Sequence, residues 1–120
     1  VSVLAIDDNL DTLQLFQRYV QGTRYALVGV SNTDELARVL ERVQPRIILL
    51  DVMMPEIDGW DMLARLRQLP DAAGRAIIVC SIMPLASVAH SLGADGFLQK
   101  PLLPQLLLQT LDAHMELLSS

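Results

Sequence analysis

Five side chains in this 120-residue chain carry groups that could do chemistry together. They are the adjacent acids Asp7 and Asp8, the acid Asp51, the hydroxyl of Ser81 and the single lysine, Lys100. Two like charges about 4 Å apart repel by roughly 1–4 kcal/mol at effective dielectrics of about 80 to 20. Three gathered carboxylates would therefore cancel a large part of a typical domain stability of about 5–15 kcal/mol. Proton uptake by one acid would relieve the repulsion, and a bound hard cation would relieve it more completely. Mg²⁺ takes oxygen ligands and keeps several waters, so a few carboxylates suffice to hold it. Lys100 adds a compact positive charge suited to a phosphate oxygen, and Ser81 adds a small hydroxyl donor. Taken together, these residue types point to a divalent cation and a phosphoryl group.

Taken singly, each has an ordinary structural reading. An Asp-Asp pair after a strand is often a solvated turn or a helix cap. Asp51 alone reads as a loop-start acid, Ser81 as a cap and Lys100 before Pro101 as a surface residue. Asn9 and Asp11 read as turn and first-turn residues, and Met53 and Met54 as packing, although a backbone carbonyl there could reach a metal. Position decides between the readings, and position depends on the elements.

Short apolar runs at Val1 to Ile6, Tyr25 to Val30, Ile47 to Leu50, Ala76 to Cys80 and Gly96 to Leu98 fit strands covered on both faces. Segments of helical period lie between them. Leu36, Val39, Leu40 and Val43 form one stripe; Leu13, Phe16 and Val20 form another. Met62, Leu63, Leu66 and Leu69 form a third, and Leu107, Leu108, Leu111, Met115 and Leu118 a last one. Asn32 with Glu35 resembles a capping pair. Gly22, Pro45, Pro70 with Gly74, and Gly93 punctuate the helix ends. The order is five βα units, (βα)₅, and short right-handed crossovers favour a doubly wound parallel sheet in a three-layer α/β/α sandwich. In such a sheet, ligands bind outside the carboxyl ends of the strands. Asp7-Asp8 follow the first run, Asp51 the third, Ser81 the fourth and Lys100 the fifth, so all five side chains converge on one rim.

Composition limits the alternatives. With 52% hydrophobic residues, one domain over residues 1–120 can build its core without staples. Cys80 is the single cysteine, so no disulfide forms within the chain, and its apolar setting reads as an inert core thiol. The net charge is −5 and the eight arginines are scattered, which gives no footprint for nucleic acid or an anionic membrane. No apolar run reaches the ~18 residues of a membrane span. A cytoplasmic location is expected, although the strand-like opening at Val1 constrains it weakly.

With these pieces in order, the chain resembles the receiver domain of two-component response regulators. The matching pieces are Ile6-Asp7-Asp8-Asn9, then Ile47 through Pro55 around Asp51, with Asp58-Gly59. Val79-Cys80-Ser81 and Gly93 through Pro101 around Lys100 complete the set. The resemblance implies a flavodoxin-like fold and a phosphoacceptor, Asp51, supplied by a sensor histidine kinase or a histidine phosphotransfer protein. It implies Mg²⁺ on Asp7, Asp8, Asp51 and the main-chain carbonyl of Met53. Lys100 would pair with a phosphate oxygen through a loop with a cis Lys100–Pro101 bond, and Ser81 would hydrogen-bond the phosphoryl group. Phe97 occupies the aromatic switch position, and added charge on Asp51 would bias the fourth helix and the surface beside it. The output partner is unspecified, a homodimer is among the options, and the chain reads either as a stand-alone regulator or as a piece of a longer signalling protein.

Three departures from the family pattern concern the switch. Bulky Ile82 follows Ser81, where a small residue is usual; Phe97 lacks the hydroxyl of the common tyrosine. The stretch from Ser81 to Lys100 is about three residues shorter than usual, nearly one helical turn of ~4.5 Å. With Pro84 early in that stretch, a short fourth helix is expected around Ala86 to Leu92. Leu106 lies off the stripe of the last helix and reads as a lone exposed leucine or a partner patch.

Other chemistries fit less well. An aspartate-nucleophile phosphatase of the haloacid dehalogenase type needs a second acid at position 53, which is methionine. His90, His114 and one cysteine cannot form a structural zinc set, and no glycine-rich nucleotide motif is present. The remaining rival is a receiver-like interaction module that signals without phosphorylation.

Overall fold

A computed structural model describes residues 1–55 and 57–119. Five strands alternate with five helices: β1 (Ser2–Ile6), α1 (Leu10–Val20), β2 (Ala26–Val30), α2 (Leu36–Val43) and β3 (Ile47–Asp51), then α3 (Gly59–Arg67), β4 (Ala76–Ser81), α4 (Ala86–Ser91), β5 (Gly96–Gln99) and α5 (Pro104–Leu118). All strands are parallel, in the order β2-β1-β3-β4-β5. The order turns back at β1, which places the switch point between β1 and β3.

Each central strand is buried on both faces because its alternate side chains enter two different cores. Val3, Ala5, Ile47, Leu49 and Ile78 pack under α1 and α5, against Phe16, Leu107 and Leu111. Leu4, Ile6, Ile48, Leu50 and Ile77 pack under α2, α3 and α4, against Val39, Leu63 and Ala89. Cys80 belongs to the first core, where burial pushes its thiol up to about 12 despite the opposing charge of Lys100. At the edge strand, the Tyr25 hydroxyl donates to the carboxylate of Asp112 on α5. Burial, then that bond, pushes the hydroxyl up to about 12.

The helix ends follow local chemistry. Asn9 caps α1 by accepting from Asp11 N (2.9 Å) and Thr12 N (3.3 Å). Asn32 accepts from Asp34 N at 3.0 Å and starts a 3-10 turn, Thr33–Glu35. The helix itself begins later, at Leu36, so Asn32 and Glu35 do not form the expected capping pair. Gly22 and Gly93 take left-handed conformations after α1 and α4. α3 ends at Arg67, before Leu69, which is 37% exposed and does not join the stripe. As expected from Pro84 and the shortened segment, α4 has only six residues. Lys100–Pro101 is cis.

Arg67 closes the end of α3 onto the rest of the fold. Its Nε donates to Gly93 O at 2.6 Å, and its guanidinium pairs with Asp95. Asp95 in turn accepts from Ile77 N at 2.8 Å, at the start of β4. Arg67→Ala should therefore lose about 2 kcal/mol in urea unfolding. Amide exchange at Ile77 and across Gly93–Asp95 should speed up in the same variant, and unchanged exchange there would show that Arg67 holds nothing.

Candidate functional site

The register of the sheet sets the site. Ile6 pairs with Leu50, so Asp7 and Asp51 come next and sit side by side. Asp51 pairs with Cys80, which brings Ser81 one step further along β4, and Ser81 pairs with Gln99, just before Lys100. Thus Asp7, Asp51, Ser81 and Lys100 meet at the carboxyl edge although up to 93 positions separate them.

Asp7 is 2% exposed, Asp51 6% and Ser81 0%, whereas Asp8 projects into solvent. Carboxylate oxygens of Asp7, Asp8 and Asp51 lie within 4.8 Å of one another. Asp7 Oδ1 accepts from Asn9 N at 2.9 Å and Asp51 Oδ1 from Met53 N at 2.8 Å, which fixes both carboxylates on their own loops. Their second oxygens face Lys100, whose Nζ lies 2.6 Å from Asp7 Oδ2 and 3.3 Å from Asp51 Oδ2. Burial works against the charge on Lys100, but the hydrogen bond to Asp7 and the charges of both acids outweigh it and raise its pKa. The Ser81 hydroxyl oxygen accepts from Met83 N at 3.1 Å, which leaves its hydrogen as a donor. Ser81 O accepts from Lys100 N at 2.8 Å, tying the two loops together.

The donor set consists of oxygens, is open on the Asp8 side and suits a hard cation of the Mg²⁺ class. Met53 belongs to the same loop, its side chain exposed and its amide bound to Asp51. Phe97 is half-buried on the face covered by α2, α3 and α4. Ile82 stands on the rim, 66% exposed. Leu106 is exposed on α5.

Two contributors escape a reading of side-chain chemistry. Asp58 caps α3 by accepting from Trp60 N (3.0 Å) and Asp61 N (3.2 Å). At Gly59, an added Cβ would lie 2.2 Å from Val52 Cα and 2.6 Å from Val52 O. Only glycine lets α3 approach the backbone that presents Asp51 and Met53. The Asp58-Gly59 pair in the sequence was the available signal.

With the geometry in place, comparison with known proteins assigns the family. Residues 3–112 match the model of the response regulator receiver domain, and the chain belongs to that family. An uncharacterized 14.6 kDa protein of Leptolyngbya boryana is 32% identical over 110 residues, covering 87% of this chain and 82% of that protein. The probable transcriptional regulator ycf27 of Porphyridium aerugineum is 26% identical over 103 residues, and the match covers 86% of this chain but 43% of the regulator. Among solved structures, a probable two-component response regulator/GGDEF domain protein matches with a TM-score of 0.89 at 27% identity, over 100% of this chain and 51% of that one. The chemotaxis protein CheY4 of Vibrio cholerae shares the fold, with a TM-score of 0.85 at 24% identity over 94% of this chain and 97% of its own. Among the described residues, no helix is long and apolar enough to cross a membrane.

Two outcomes test this account of the site. Lys100→Ala strands two buried carboxylates, so without divalent cations it should lose about 2–4 kcal/mol in urea unfolding. Because its pKa is raised in the fold, the contribution of Lys100 is complete below the unfolded value of about 10.4 and fades as pH rises through the folded value. The deficit should therefore be level from neutral pH to about pH 9 and shrink only above that. Gly59→Ala should lose about 2–3 kcal/mol in urea unfolding, since the obstacle is backbone. Gly74→Ala, which has open space around its Cβ, should stay within about 0.5 kcal/mol of the parent in the same assay.

Proposed function

We propose that the chain is a working phosphoacceptor, taking a phosphoryl group from a phosphohistidine onto Asp51. The observation that carries this reading is the gathering of three carboxylates within 4.8 Å beside a buried lysine. A module that signals only by contact needs no such arrangement, and its repulsion would be a standing cost.

In this reading Asp7, Asp8 and Asp51, with the carbonyl of Met53, hold Mg²⁺. When bound, that ion supplies neutralisation of the charge on the incoming group. The remaining work falls to the chain. A carboxylate oxygen of Asp51 bonds to phosphorus as the P–N bond of the donor breaks, and the electron pair stays on the imidazole. The hydrogen bond from Met53 N orients Asp51 for in-line approach. Lys100, held more closely by Asp7 than by Asp51, can turn its remaining N–H donors to a phosphoryl oxygen. Ser81 can donate its hydroxyl hydrogen to another.

The donor in this reading is a sensor histidine kinase or a histidine phosphotransfer protein in the cytoplasm. The response passes through Ser81, Phe97 and the surface around α4. That surface differs from the family pattern through the six-residue α4 and exposed Ile82. The chain spans 43% of the ycf27 regulator and 51% of the GGDEF protein, whose remaining lengths carry other parts. An output joined to or recruited by this domain belongs to the same proposal.

Incubation with Mg²⁺ and either acetyl phosphate or phosphoramidate, followed by intact mass, tests it. The parent should gain one phosphoryl group, while Asp51→Asn and a sample in EDTA should gain none. No gain from either donor in a protein that binds Mg²⁺ would favour signalling without phosphorylation.

A further inference from the structure

Among the described residues four polar or charged side chains are buried: Asp7, Asp51, Ser81 and Arg75. Three of them belong to the acidic site. Arg75 lies at the opposite end of the sheet, one residue before β4, and is 7% exposed. Its Nε donates to Pro45 O at 2.8 Å. Its two terminal nitrogens, with four of its five N–H donors, meet no protein acceptor among the described residues, and no described carboxylate lies within 4.0 Å. These nitrogens are not sealed from solvent, and Arg75 borders a cavity of about 420 Å³.

Arg46 borders the same cavity. Ala76 N donates to Arg46 O at 2.9 Å, so the entries to β3 and β4, and with them the two arginines, are neighbours. Arg46 has no ion-pair partner among the described residues either. Asp71 is on the cavity wall but more than 4.0 Å from both guanidinium groups. Arg75 also borders an adjoining pocket together with Asp71 and Glu41, which Arg46 does not reach; the cavity shared by the two arginines has Asp71 as its one acid.

A buried cation without a counter-charge is costly. A guanidinium fork is matched in shape to carboxylate and phosphate oxygens. We infer that Arg75 and Arg46 form an oxyanion-binding site at the amino edge of the sheet, which takes a carboxylate or phosphate group independently of Asp51.

Arginine side-chain resonances of the ¹⁵N-labelled full chain test this. Inorganic phosphate and acetate are titrated separately against chloride at constant ionic strength, with EDTA present to keep divalent cations from Asp51. The Arg75 Nε–H signal should shift saturably with at least one of the two anions. Response to phosphate alone assigns a phosphate site, and response to acetate alone a carboxylate site. Arg46→Gln, an exposed substitution that leaves the core intact, should weaken the binding about tenfold. In Arg75→Lys, which keeps the charge and removes the fork, the saturable shift should be lost from the Arg46 Nε–H signal, which follows binding in the parent. A shift no different from that in chloride, or a saturable shift undiminished in Arg46→Gln, would overturn the inference.

Discussion

At the carboxyl edge of the sheet, the ammonium of Lys100 stands 2.6 Å from one buried carboxylate and 3.3 Å from another. The surrounding structure supplies what else the two charges need. Backbone amides of Asn9 and Met53 take the outward oxygens of Asp7 and Asp51, so each carboxylate is bound on both sides. Asp8 differs: it is exposed and adds charge without needing internal support, which keeps the entrance anionic and open.

That arrangement dictates much of the fold around it. Side-by-side acids require β1 and β3 to be paired neighbours, which the turn-back of strand order at β1 provides. Lys100 must then reach across β4, and the bond from its amide to Ser81 O fixes how far β5 extends. The loop that carries Asp51 and Met53 is pinned from behind by α3, whose close approach only Gly59 allows. Two apolar cores, one on each face, hold the strands that carry these charges.

Most of this was legible in the sequence because the strands are short, continuous and bounded by turn residues. The five apolar runs correspond to the five strands, and the residues after them to the site. Pro84 and the shortened segment foretold the brief α4. The boundaries that were misread have local causes. Asn32 satisfies Asp34 N through a 3-10 turn that periodicity cannot detect, so α2 starts at Leu36. Leu69 follows the apolar stripe in spacing, but α3 stops at Arg67, whose side chain is engaged with Gly93 and Asp95. The role of Gly59 was hidden for another reason: glycine has no group to read, and what matters is the backbone of Val52 opposite it.

The two ends of the sheet treat buried charge in opposite ways. At the carboxyl end two buried acids share one lysine, and the exposed Asp8 stands beside them. At the amino end Arg75 is as deeply placed, yet only its Nε is bonded, and its nearest basic neighbour is another arginine. Structural need alone explains that poorly, since an apolar side chain of similar length would fill the space under Pro45 without carrying a charge inside. A parallel sheet ends in unpaired backbone groups at both edges, and its amino edge is ordinarily closed by turns. Here the turns of Gln44–Arg46 and Asp71–Arg75 leave a cavity between them with a cation at its base. The depth of Arg75 matters here: a guanidinium on the surface is served by water, whereas one held against the Pro45 carbonyl in a recess keeps its remaining donors for a group that enters the recess.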